Sequence, residues 1–131
     1  MKNLQVLLAV FTFISCAQAS AASDEKLIQL LNNVKGNSST ALLAAYTCRD
    51  ALGITYYKAI RAYGEQALQQ LGASSQATKS TFDALESRFK GDKKLLQEKD
   101  VMKCVWVTTE ANRTFHESQS AISDYNASAK P

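Results

Sequence analysis

Apolar positions recur every three or four residues through almost the whole chain, the spacing that lines one face of an α-helix. No stretch alternates apolar and polar residues between turn signals, so strands are not expected. A first helix is predicted over 24–35. Ser23 is its N-cap, Asp24 and Glu25 sit at the positive end of its dipole, and Leu27, Ile28, Leu30, Leu31 and Val34 form its apolar face. Gly36 reads as its stop and Asn37, Ser38 and Ser39 as a short polar loop.

A second helix follows over 40–71, capped by Ser39 and ended by Gly72, with Ala41, Ala45, Cys48, Leu52, Tyr56, Ala59, Tyr63 and Ala67 as its inner stripe. Gly53 and Gly64 each cost up to about 1 kcal/mol relative to alanine there, so each marks a kink or a close helix contact. Tyr46, Tyr57 and Leu68 fall outside that stripe. A third helix over 75–90 carries Thr78, Phe82, Leu85 and Phe89 on one side, behind a cap at Ser74 or Ser75, and Gly91 and Asp92 interrupt it. A fourth over 93–125 places Val101, Cys104, Val105, Thr108, Ala111, Phe115, Ile122 and Tyr125 on one face. The single proline, Pro131, interrupts none of these. The expected fold is all-α, an antiparallel bundle of three to four helices, two of them long, with one interhelical disulfide.

The N-terminal pattern is of another kind. Lys2, an apolar run over 4–14 and the small residues Ala17 and Ala19 read as a secretory signal peptide over 1–19, leaving one helical domain over 20–131 with a short frayed tail. Cleavage after Ala21 or Ala22 is the nearby alternative. The run is shorter than the roughly 20 apolar residues that span a bilayer, so no membrane span is expected. Phe13, Ile14 and Ser15 make a poor context for lipid attachment at Cys16. Secretion to the extracellular space is therefore the expected localisation.

Export leaves two cysteines, Cys48 and Cys104, and an oxidising compartment favours their pairing. Folding the chain back at Gly72 sets the two out of register by about 7 residues, roughly 10 Å of helix. A disulfide needs its Cα atoms within about 7 Å, so the break at Gly91 or an offset between helices has to absorb the mismatch. A catalytic thiolate is not expected. His116, the one histidine, lies about 120° around a helix from Cys104, and one histidine with two bridged cysteines cannot make a zinc site.

The acidic pairs Glu98 with Asp100 and Glu110 with Glu117 read as a solvated helix side, and no nucleophile elbow or glycine-rich phosphate loop is present. Neither an enzyme nor a cofactor is expected. The chain has 15 basic and 12 acidic side chains, and without the leader the net charge is about +2, too small to make nucleic acid or an anionic membrane the main partner. The densest charge is Arg88, Lys90, Lys93, Lys94, Lys99 and Lys103, interleaved with Asp92, Glu98 and Asp100. It reads as a mixed-charge helix junction or a dock for an acidic partner or sulfated polysaccharide.

Leu95, Met102 and Trp106 lie opposite Cys104 on the fourth helix, a second apolar side that either packs against the first helix or receives a partner, with Trp106 as anchor. Asn37, Asn112 and Asn126 begin acceptor triplets for N-linked glycan, which would make the chain a glycoprotein. The expected function is that of a secreted extracellular protein-interaction module, non-catalytic, acting as an inhibitor or as a signalling or defence factor. The alternative is a carrier of a small apolar ligand between the helices, lined by Tyr56, Tyr63, Phe115 and Trp106.

Overall fold

The computed structural model describes residues 21–128, and the side chains of 25–128. The expected signal peptide, its cleavage site and Cys16 lie outside the described residues. Five helices follow in order: α1 (Ala21–Thr47), α2 (Arg49–Leu52), α3 (Ile54–Gln70), α4 (Ser75–Gly91) and α5 (Val101–Ser128). The all-α reading holds, but the breaks fall elsewhere than expected.

Gly36 does not stop the first helix. Ser38 and Ser39 donate their hydroxyls to the Lys35 carbonyl, and Thr40 donates to that of Gly36, at 2.9 to 3.1 Å. These residues, which usually compete with helix, are satisfied inside it, and α1 runs on for 27 residues. The chain breaks instead at Cys48 and Gly53. Gly53 has φ 94°, the region a side chain disfavours, and its carbonyl then accepts the Tyr57 N–H at 3.4 Å to begin α3. The single long helix expected over 40–71 is therefore divided among the end of α1, the short α2 and α3, with α1 and α3 running in opposite directions.

The registers fix those directions. Cys48 joins Cys104, and eleven residues back along α1 the Asn37 amide donates to the carbonyl of Thr114, ten residues further along α5, so the two helices are antiparallel. In contrast, α3 and α5 rise in number together. Tyr56 meets Asn112, and Tyr63 meets His116 and Gln119. Along α4, Phe82 meets Gly64 and Glu86 meets Tyr57, which makes α3 and α4 antiparallel. The four long helices thus alternate up, down, up, down. The turn from α3 to α4 is closed by Gly72 at φ 100°, where the Ala73 N–H reaches the Leu68 carbonyl at 3.1 Å. Ser74 then caps α4 by accepting the Ala77 N–H at 3.1 Å.

Two apolar clusters fill the bundle. Nearer the Cys48 end, Leu42, Ala45, Tyr46, Tyr57 and Phe82 pack with Ile60, Leu85 and Phe89. Further along, Val34, Ala67, Phe115 and Ile122 pack with Leu30, Leu31 and Leu71. Ala67 is buried as the inner stripe predicts, but Ala59 and Tyr63 are exposed, because the break at Gly53 resets the phase of the helix and turns Tyr57 and Gly64 inward instead.

The two glycines of the expected second helix have one role each. Gly53 makes the break, and Gly64 allows contact: a Cβ there would stand 2.7 Å from Cζ of Phe82.

Candidate functional site

The end of the bundle carrying Cys48 is built by residues 92–100, with 93–100 expected as the start of the last helix. The Asp92 carboxylate and carbonyl accept the N–H groups of Lys94 and Leu95 at 2.9 and 3.1 Å, turning the chain out of helix. Gln97 then donates its amide to the Tyr46 carbonyl at 2.9 Å, and the Glu98 N–H reaches that of Thr47 at 2.8 Å. These are the last carbonyls of α1, which have no partner within their own helix. The Gln97 side chain also accepts the Asp50 N–H at 3.3 Å.

Asp100 caps α5 by accepting the Lys103 N–H at 3.0 Å, and one turn in lies Cys104. Its sulfur bonds that of Cys48 with the Cα atoms 5.6 Å apart. The expected disulfide is present between the expected cysteines but joins other elements: it ties the joint after α1 to the first turn of α5. No offset has to be absorbed, because the last helix pairs with α1 and not with an extended second helix. Cys104 is fully buried, and its sulfur serves the bridge alone.

This end also carries most of the uncovered apolar surface. Leu96 is 80% exposed, Met102 75%, Trp106 68%, Ile54 53%, Val101 51% and Val105 44%. Among the described residues only Ile28 and Tyr63 are other large apolar side chains so exposed. Val101 and Val105, expected on the inner face with Cys104, instead point outward: at about 100° per residue they share one side of the first two turns of α5 with Met102 and Trp106. Burial of Met102 and Trp106 against the first helix, one of the two outcomes expected, does not occur. Tyr46 and Tyr57, outside the expected stripe of the second helix, pack on each other with ring centroids 5.8 Å apart.

The remaining residues expected at a partner or ligand site are dispersed. Leu95 is half-buried beside Leu43, Leu85 and Phe89 in an open depression between α1 and α4. Tyr56 is half-buried, its hydroxyl accepting from the Asn112 amide at 3.0 Å. Phe115 lies in the second cluster, 2% exposed. Tyr63 stacks edge-on against it at 5.4 Å, while its hydroxyl donates to Gln119 and approaches Nδ1 of His116, each at 3.1 Å. Trp106 borders a separate open groove between α1 and α5, lined by Thr40, Ala44, Val107 and Ala111. Tyr56, Tyr63, Phe115 and Trp106 therefore share no enclosed cavity.

The glycan acceptors differ in access. Asn37 stands within α1 and not in the expected loop, and Asn112 is half-buried with its amide engaged by Tyr56. Asn126 is exposed near the end of α5.

The acidic side chains have local tasks. Glu98 accepts the N–H groups of Lys99 and Asp100 and pairs with Lys103, whose hydrogen bond holds the Glu98 carboxyl below its usual range. Glu110 and Glu117 both pair with Arg113 between them. Among the described residues, no group of three or more His, Cys, Asp or Glu side chains is placed to hold a metal ion.

A second polar cluster, which the sequence reading missed, joins α3 to α4. Arg61 reaches Glu65 at 2.8 Å and Asp83 and Glu86 at 2.6 Å each. The Tyr57 hydroxyl also donates to Glu86 at 2.6 Å. Partial burial pulls the Arg61 pKa down, but the three carboxylates outweigh it and raise it. Burial likewise pushes the Glu86 carboxyl up, and the hydrogen bonds from Tyr57 and Arg61 more than reverse that. Tyr57 itself is raised, by burial and then by the neighbouring Glu86. Every member is partnered, so the cluster fastens a seam. The only sequence sign of it is the four-residue spacing of Arg61 and Glu65.

Comparison with known proteins matches no family model, no curated protein and no solved structure.

Proposed function

We propose that this chain is a non-catalytic extracellular interaction protein that docks through the surface around its disulfide. The observation that carries the reading is the concentration of exposed Leu96, Met102 and Trp106 at one end of a bundle whose other large apolar side chains are mostly covered. Exposed apolar groups gathered into a patch mark contact surfaces, whereas scattered ones do not. Two supports lie beneath it. The disulfide and the loop bonds to α1 hold the patch in one shape, which lowers the ordering cost of binding. The acidic pairs and His116 are engaged in local contacts, which leaves docking as the more economical account of the surface.

The disulfide also supports the extracellular assignment, since such bonds persist in oxidising compartments. No described helix is long and apolar enough to cross a membrane. An apolar-ligand carrier is the weaker reading, because its four lining residues share no cavity. The test compares the disulfide-bonded chain with its Leu96→Ser/Met102→Ser variant, both immobilised and exposed to the fluid and cell surfaces of the source. Retention at least about tenfold lower for the variant is expected, as two buried apolar side chains lose their contacts. Equal retention would remove the docking surface from this end.

A further inference from the structure

Formal charge is not spread evenly over the molecule. Residues 88–103 carry six basic side chains against three acidic ones, a net +3, while the rest of the described chain carries seven against nine, a net −2. Helix α4 delivers that segment to the end where Leu96, Met102 and Trp106 are exposed. The three acids there are committed locally. Asp92 accepts the Lys94 N–H, Asp100 caps α5, and Glu98 holds two N–H groups and Lys103. Lys93, Lys94 and Lys99 are exposed and form no ion pair with a described carboxylate. The outcome is a tip with protruding apolar side chains among unpaired ammonium groups.

We infer that this tip binds the surface of an anionic phospholipid bilayer, with Leu96, Met102 and Trp106 entering the headgroup boundary and Lys93, Lys94 and Lys99 contacting the lipid phosphates. The inference rests on the docking reading above and names its partner. Lysine is depleted from protein–protein interfaces, whereas tryptophan with lysine is the pairing found where a protein meets a membrane. Long lysine stems lie along apolar surface while their charges remain at headgroup level. The geometry also limits the depth. On the same side of α5 the apolar run gives way to Thr109 and then to Arg113, which pairs with Glu110 and Glu117, so only the first two turns can enter. No helix has to span.

Trp106 is the only tryptophan in the chain and so reports insertion directly. The experiment titrates the disulfide-bonded protein with vesicles of phosphatidylcholine alone, or with about a quarter phosphatidylserine. It reads Trp106 emission, quenching by brominated acyl chains, and co-sedimentation. A blue shift with quenching on the anionic vesicles, weak on the neutral ones, is expected. Leu96→Ser/Met102→Ser should weaken partitioning by about tenfold or more, and each of Lys93→Gln, Lys94→Gln and Lys99→Gln by about 5-fold. Unchanged circular dichroism would show that the variants still fold.

Unchanged Trp106 emission at saturating anionic lipid overturns the inference, as does co-sedimentation that the Leu96→Ser/Met102→Ser variant leaves intact. Retention on heparin without vesicle binding would assign the lysines to a sulfated polysaccharide, and a blue shift that follows protein concentration without lipid would assign the patch to a second copy of this chain. Either outcome overturns the lipid surface. If neither form binds vesicles but the variant alone loses retention in the source-fluid test, the docking surface stands and its lipid partner falls.

Discussion

Two regions use similar residues to opposite ends. At the seam between α3 and α4, Arg61, Tyr57 and the carboxylates of Glu65, Asp83 and Glu86 close on one another beside Phe82, which is 1% exposed. At the disulfide end, lysines and large apolar side chains stand beside one another with nothing over them. The difference lies in what faces each group. The seam has a second helix running antiparallel against it, and the tip has only a loop of nine residues (92–100), whose bonds are spent on the carbonyls of α1. Polar groups paired across two helices hold the fold together, whereas the same kinds of group left unpaired at an end are available to something outside it.

The largest expected effect bears on the tip as a scaffold. Replacing both cysteines by alanine reopens a loop of 56 residues and should cost about 4 kcal/mol by loop-closure entropy, measured by urea unfolding. A loss below about 1 kcal/mol would mean that the bonds of Gln97 and Glu98 to α1 hold the tip without the bridge. At the seam, Arg61→Ala leaves Glu86 half-buried beside Tyr57 without its cation and should cost about 2 kcal/mol. Arg61→Lys should recover only part of this, since an ammonium cannot serve three carboxylates in the guanidinium's geometry.

Gly64→Ala places a methyl group 2.7 Å from Cζ of the buried Phe82 ring, so the ring has to shift. A net destabilisation of about 1 kcal/mol is expected after the helix-propensity gain is subtracted, and Phe82→Leu in the same chain should relieve it. This double substitution separates close approach from simple helix weakness.

Acid sharpens the same contrast. Glu86 and Asp83 have carboxyl pKa values below their ordinary 4.5 and 3.8 in the folded chain, so they bind protons less readily there than when unfolded. Their stabilising contribution is complete above those ordinary values and is lost as pH falls below them toward the depressed folded values. Urea midpoints recorded down through that window should fall, and Glu86→Gln should flatten the decline. The smallest effect belongs to the open surface: Leu96→Ser and Met102→Ser should each change stability by less than about 0.5 kcal/mol. A larger loss would show that the apolar tip serves the fold.

The sequence by itself determined that the chain is helical, that Cys48 and Cys104 pair, that a cap stands at Ser74 or Ser75 and that Gly72 ends a helix. Those follow from local periodicity, capping chemistry and cysteine count, each contained within a few residues or a simple tally. Where the helices break was less legible. Gly36 and Gly53 look alike in sequence, and serine bonds back to the Lys35 carbonyl keep the first inside a helix while the second turns the chain at φ 94°.

Only the tertiary structure decided that Cys48 closes α1 onto α5, that Gly64 faces Phe82, and that Arg61 gathers carboxylates from two helices. It also decided that Met102 and Trp106 remain uncovered, although the spacing that leaves them outside is the same spacing that would bury them under another helix. The net charge of the chain is small, yet folding carries a net +3 segment to the apolar end. Periodicity records which residues share a face, and contact between faces far apart in sequence depends on how the chain closes in space.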